Sequence, residues 1–223
     1  MINLILKDFK IIKRIIFLGI AYGFLLAFIG TKSIMEGTLN QGFSTFYTLF
    51  MTYFSLIYAN GYDEKNKANF FIRSLPISKG HIVISKYITI AAYTIFYYVL
   101  FSISVLISNI VLSGNSTVFD YRIFIIILVV NMVVYGLHYP FYFKYGAKFL
   151  QIFKMVGFLV IFIIPSVFTR MIKSIDKNRV IEFVNWTKDN QQIFAGFLLL
   201  IAAAITIITA LLSIRIFNNK DMV

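Results

Sequence analysis

Apolar residues in this chain do not mark one face of each helix. They form long uncharged runs separated by short polar or basic stretches, an arrangement that suits lipid as the solvent. The runs place spans at about 15–30, 43–62, 88–112, 123–143, 149–169 and 193–214. The expected fold is therefore an all-α integral membrane protein, a single transmembrane domain over residues 1–223 with six helices. The fifth span is the least regular. Its clean core runs only from Met155 to Thr169, short for a hydrocarbon layer of about 30 Å at a rise of about 1.5 Å per residue. It either borrows 149–154, with Lys154 snorkelling, or stops early at Pro165.

The flanks add detail. In the first fourteen residues Ile2, Ile5, Phe9 and Ile12, continued by Ile16, fall on one helical face. Lys7, Lys10 and Arg14 gather on another, with Lys13 at its edge. This reads either as an amphipathic helix lying in the headgroup layer or as a basic flank that sets orientation. Gly19 and Gly23 have the Gly-x-x-x-Gly spacing that admits close helix packing. Pro140, late in the fourth span, frees a backbone carbonyl that a neighbouring helix must satisfy.

Composition agrees with this pattern. The chain of 223 residues is 60% hydrophobic and 13% charged, against roughly 25% charged residues in soluble domains. Its net charge of +12 could signal nucleic acid or anionic lipid. The basic residues lie between apolar runs, which favours membrane topology and leaves no role for nucleic acid. With the N-terminus inside, 14 of the 21 Lys and Arg fall on that side. The positive-inside rule thus places both termini in the cytoplasm. The outer loop 170–192, with five basic residues, runs against it.

Several chemistries are absent from the sequence. There is no cysteine and there are only two histidines, so no metal site is expected. No Gly-x-x-x-x-Gly-Lys-[Ser/Thr] loop occurs; Gly30-Thr31-Lys32-Ser33 resembles one only superficially. The clean spans hold no Asp, Glu, Lys or Arg, which argues against a proton- or sodium-driven transporter. Asn109, Asn131 and His138 are the notable polar residues at depth. They either line a wet pathway or hydrogen-bond between helices.

The least generic stretch lies between the second and third spans. It opens with Asp63-Glu64-Lys65-Asn66 and continues through Arg73-Ser74-Leu75-Pro76-Ile77-Ser78-Lys79-Gly80-His81 to Ser85-Lys86-Tyr87. Ser74 or Ser78 can cap a helix start, and Pro76 is tolerated in a first turn. The expectation is a short cytoplasmic helix followed by a turn into the third span. Its mix of apolar knobs and basic residues suits docking into a groove.

This stretch resembles the ABC-2 class of exporter permeases, and more narrowly the small bacterial permeases that include subunits of the staphylococcal phenol-soluble modulin exporter. The resemblance implies two permeases, identical or paralogous, packed together in the bacterial cell membrane. Each would sit on a cytoplasmic ATPase subunit that holds ATP and Mg, so this chain carries no cofactor and is not an enzyme. The N-terminal helix would lie along the inner leaflet, in contact with lipid. The loop would be the coupling helix that seats in the ATPase. Leu75, Pro76, Ile77 and Ser78, with Ser74, would form its docking core. Arg73, Lys79 and His81 would form a polar rim, and Asp63 and Glu64 would position the loop. The substrate implied is an amphipathic peptide, a cytolytic toxin or antimicrobial. Two rival readings remain: a membrane-anchored immunity or sensor protein that binds peptides without transport, and an intramembrane enzyme built on Asn131 and His138.

Overall fold

A computed structural model describes residues 2–32, 38–66, 78–146 and 190–219. Six helices occupy them: α1 (Ile2–Ile11), α2 (Lys13–Lys32), α3 (Thr38–Lys65), α4 (Lys79–Leu112), α5 (Tyr121–Tyr145) and α6 (Gln191–Asn219). There is no strand among the described residues. Four helices, α2, α4, α5 and α6, are long and apolar enough to cross a membrane. The fifth span expected at 149–169 and nearly all of the outer loop lie outside the described residues.

The span expected at 43–62 differs in character from the others. It forms a 28-residue helix, α3, yet is not among the four apolar ones. Thr48, Thr52, Ser55 and Asn60 are buried on its inner face, while Phe46, Phe50, Phe54, Tyr58 and Tyr62 face outward. A helix can carry this many hydroxyls inward only by burying them in protein, so α3 packs its polar side on α2 and α4.

Helix α4 is the hub and touches all five others. At 34 residues it is about 51 Å long, well beyond one span. Among the described residues no turn precedes the third span after Ser78, because residues 79–87 already belong to α4; residues 67–77, where the expected short helix would begin, lie outside the described residues. Ser78 caps its start, and its Oγ accepts from the His81 amide. At the far end Ser113 takes the left-handed conformation (φ 52°), and the Gly114 amide bonds back to the Asn109 carbonyl.

Close packing follows from small residues and from one proline. Tyr47 of α3 donates to the Gly19 carbonyl at 3.0 Å. A Cβ at Gly19 would stand 2.8 Å from the Met51 side chain, and one at Gly23 would stand 3.2 Å from the Tyr47 ring. The Gly19 and Gly23 face thus receives α3. Pro140 removes the donor that would serve the Gly136 carbonyl one turn earlier. That carbonyl instead accepts from Tyr87 of α4 at 3.1 Å, and the Tyr87 oxygen lies 3.0 Å from Ser213 Oγ of α6. Tyr87→Phe should therefore cost about 1–3 kcal/mol, read as a lower melting temperature of the purified protein. No change in melting temperature would show that the carbonyl has another donor.

Candidate functional site

Among the described residues, the chemically densest part is the end that carries α1. There Lys7 and Asp8 of α1, Asp63 at the close of α3 and Lys86 near the start of α4 form a closed ring of alternating charge. Lys86 Nζ contacts both oxygens of Asp8, at 3.2 and 3.0 Å, and Asp63 Oδ2 at 2.8 Å. Lys7 Nζ reaches Asp63 Oδ1 at 2.7 Å and Asp8 Oδ1 at 3.3 Å. An ammonium has three donors, and those of Lys86 are matched by three carboxylate contacts.

Burial makes the arrangement consequential. Asp8, Asp63 and Lys86 are 3%, 1% and 6% exposed, whereas the Lys7 side chain is 31% exposed. Taking one ion out of water costs several kcal/mol, which attraction offsets only when the remaining hydrogen bonds are filled. The ring meets that condition and is neutral as a whole. Tyr93, Tyr139 and Tyr142 lie around it, close enough for Tyr139 and Tyr142 to act electrostatically on Lys86. Asp63 sits just beyond the apolar segment that ends at Tyr62. Burial alone would raise its carboxyl, but the charges of Lys86 and Lys7 and their hydrogen bonds outweigh that and hold it below the ordinary range. The ionised form thus stabilises the fold above about pH 3.9, and this contribution fades only as pH falls through the lowered folded value.

The ring adds to the N-terminal helix a buried polar contact that the sequence did not predict. Its inward face is centred on Asp8 and Ile12 and turned away from Ile2, which is 73% exposed. The helix docks on α4, with Phe9 edge-on to Tyr93 at 4.9 Å and to Phe96 at 5.7 Å. Lys7, expected to face water and phosphate, turns to Asp63. Between α1 and α2 only Ile12 intervenes, and its amide still bonds the Asp8 carbonyl.

The family model described as ABC-2 family transporter protein matches residues 3–218. The chain belongs to the ABC-2 transporter family. It is a multi-pass membrane permease subunit of an ABC transporter, not the ATPase, and the family implies an ATPase partner. No curated protein and no solved structure matches it.

Within this permease, the residues singled out in the sequence separate into three groups. Arg73, Ser74, Leu75, Pro76 and Ile77 lie outside the described residues. Ser78, Lys79 and His81 form the exposed start of α4. Ser78 Oγ lies 2.8 Å from His81 Nδ1, and Lys79 Nζ donates to the Asn218 carbonyl of α6. Asp63 belongs to the ring, while Glu64 faces the other way, toward Gly146 at the end of α5.

The polar residues at depth are not brought together. Asn131 of α5 donates to Thr94 Oγ1 of α4 at 2.9 Å. Asn109 clamps the α4–α5 turn, donating to the Ser116 carbonyl at 2.7 Å and accepting from the Ser116 amide at 3.3 Å. His138 lines a cavity of about 10 Å³ with Tyr53, Asn60, Tyr135 and Tyr139. That is room for about one water, far too little for a substrate.

Sequence reasoning missed Asp8 and Lys86. Asp8 is the only acid in the first 35 residues, and it stands one turn before Ile12 on the buried side of the helix. That lone carboxylate among lysines was the available signal. Lys86 stood within the stretch that carries the resemblance, as Ser85-Lys86-Tyr87, but nothing there assigned its charge a role, because a lysine two residues before an apolar run also looks like a membrane flank.

Proposed function

We propose that the chain is a six-span permease subunit of an ATP-driven exporter in a bacterial cell membrane, with both termini cytoplasmic. It pairs with a second permease, identical or paralogous, and seats a cytoplasmic ATPase against residues 73–81. The substrate is an amphipathic peptide, as a cytolytic toxin or antimicrobial would be. ATP and Mg act in the partner.

The observation that carries this reading is the charge ring at the α1 end. Asp63 and Lys86 stand on either side of the docking segment, 23 residues apart in sequence, and the ring ties them to each other and to α1. Force applied to that segment therefore reaches three helices at once. Such an element is what a permease moved by another subunit requires.

The test is affinity purification from native membranes. The expected result is a stoichiometric ATPase and a second permease, with bound amphipathic peptide identified by mass spectrometry. Peptide without any ATPase would favour the immunity or sensor reading and overturn this one.

A further inference from the structure

The ring does not hold its three helices equally. Lys86 gives two contacts to Asp8 and one to Asp63. Both edges from Lys86 are buried, but beside the Lys86–Asp8 edge Phe9 packs on Tyr93 and Phe96 while Ile12 is fully buried. Asp63, by contrast, is held through one oxygen by each lysine. One of those lysines is Lys7, at the water-exposed edge of the ring.

The charges divide in the same way. If the end of α3 withdraws, Lys86 and Asp8 remain as a buried neutral pair. Lys7 lies on the edge that water reaches, and Asp63, 1% exposed in the closed ring, is carried out toward solvent with the end of α3. Neither arrangement strands a buried unpaired charge, the costly outcome for an ion out of water. The ring is therefore stable closed and tolerable open, but only along the α3 side. Separating α1 from α4 would expose or orphan the Lys86–Asp8 pair and break the aromatic packing.

We infer that α1 and α4 move as one body, locked by Lys86–Asp8, and that nucleotide binding in the partner shifts the end of α3 against them by opening the Asp63 contacts. Lys86 and Asp8 are positioning residues in this scheme: they decide which helices travel together. The inference rests on the permease reading, because the ATPase supplies the displacement.

The chain contains no cysteine, so introduced thiols are the only ones to label. Leu6 on α1, Ile84 on α4 and Tyr62 on α3 are all exposed. Spin labels at Leu6→Cys/Ile84→Cys and at Leu6→Cys/Tyr62→Cys report the two helix pairs by electron–electron distance measurement. The sample is the complex with its ATPase in lipid nanodiscs, diluted with unlabelled chain, with and without Mg and a non-hydrolysable ATP analogue. We expect the Leu6–Tyr62 distance to shift by about 2–5 Å and the Leu6–Ile84 distance to stay unchanged. In the neutral double variant Lys86→Met/Asp8→Asn, the Leu6–Ile84 distance should shift as well. The inference is overturned if nucleotide moves Leu6–Ile84 as much as Leu6–Tyr62, if it moves neither, or if the double variant behaves as the parent does. A complex that lacks any ATPase would instead overturn the permease reading, and this inference with it.

Discussion

Lys86→Met should remove most of the folded protein from the membrane, whereas Lys86→Met/Asp8→Asn should restore it. The single substitution leaves Asp8 and Asp63, both buried, facing Lys7 alone. Breaking a buried ion pair by deleting one partner costs about 3–5 kcal/mol, since the charge left behind has lost both water and partner. Total stabilities are only about 5–15 kcal/mol, so the folded fraction should fall visibly. The double variant is neutral again and keeps the 2.7 Å contact between Lys7 and Asp63. Replacing a whole buried pair by groups of similar volume is often neutral or stabilising. The measurement is the amount and thermal stability of monodisperse protein after detergent extraction, compared across the parent, the single and the double variant. Equal stability of the single and double variants would mean that Lys86 carries no buried charge compensation. The same double variant serves the distance measurements, and this separates a folding role from a role in movement. A purely structural ring would give a stable double variant in which α1 and α4 still travel together.

Leu75→Asp should abolish ATPase association while leaving the permease folded. This prediction rests on the proposed docking role, because residue 75 lies outside the described segments. A carboxylate placed in an apolar groove has neither water nor a partner, and loss of an apolar anchor at the centre of an interface costs about 2 kcal/mol or more. That corresponds to roughly a thirty-fold weaker complex. Arg73→Ala, at the expected rim, should weaken the complex less, and its effect should shrink as salt rises. Copurification of the ATPase at two ionic strengths distinguishes the two substitutions. Undiminished ATPase with Leu75→Asp would remove Leu75 from the docking core and leave the exposed start of α4 at Ser78, Lys79 and His81 as the part of the proposed surface to test next.

The two experiments meet at one feature of the fold. Helix α4 begins at the proposed docking segment, carries Lys86 two turns later and then touches every other described helix. A push at its start is therefore distributed through the bundle, and the ring decides how α1 and α3 share in it. The hydrogen bond from Lys79 to the Asn218 carbonyl extends that reach to the end of α6.

What could be read from the sequence was local. Uncharged runs located the described helices α2 to α6 because lipid demands that backbone polar groups be satisfied within each one. Ser78 was legible as a cap because capping needs only the next three residues, and Pro140 because it frees a carbonyl a known distance back along its own helix. The donor that reaches that carbonyl, Tyr87, lies 49 residues away from Gly136 and could not be named. The charge ring is of the same kind. The contacts that close it join residues 23, 56 and 78 positions apart, and although Asp63 was singled out as a loop residue, nothing along the chain pairs it with Lys7, Asp8 or Lys86. Only the tertiary structure turns α1 so that Asp8 faces inward, and only burial converts four ordinary surface residue types into a clasp. Periodicity reports which residues avoid water; it does not report which charges leave water together, because that depends on helices meeting in three dimensions.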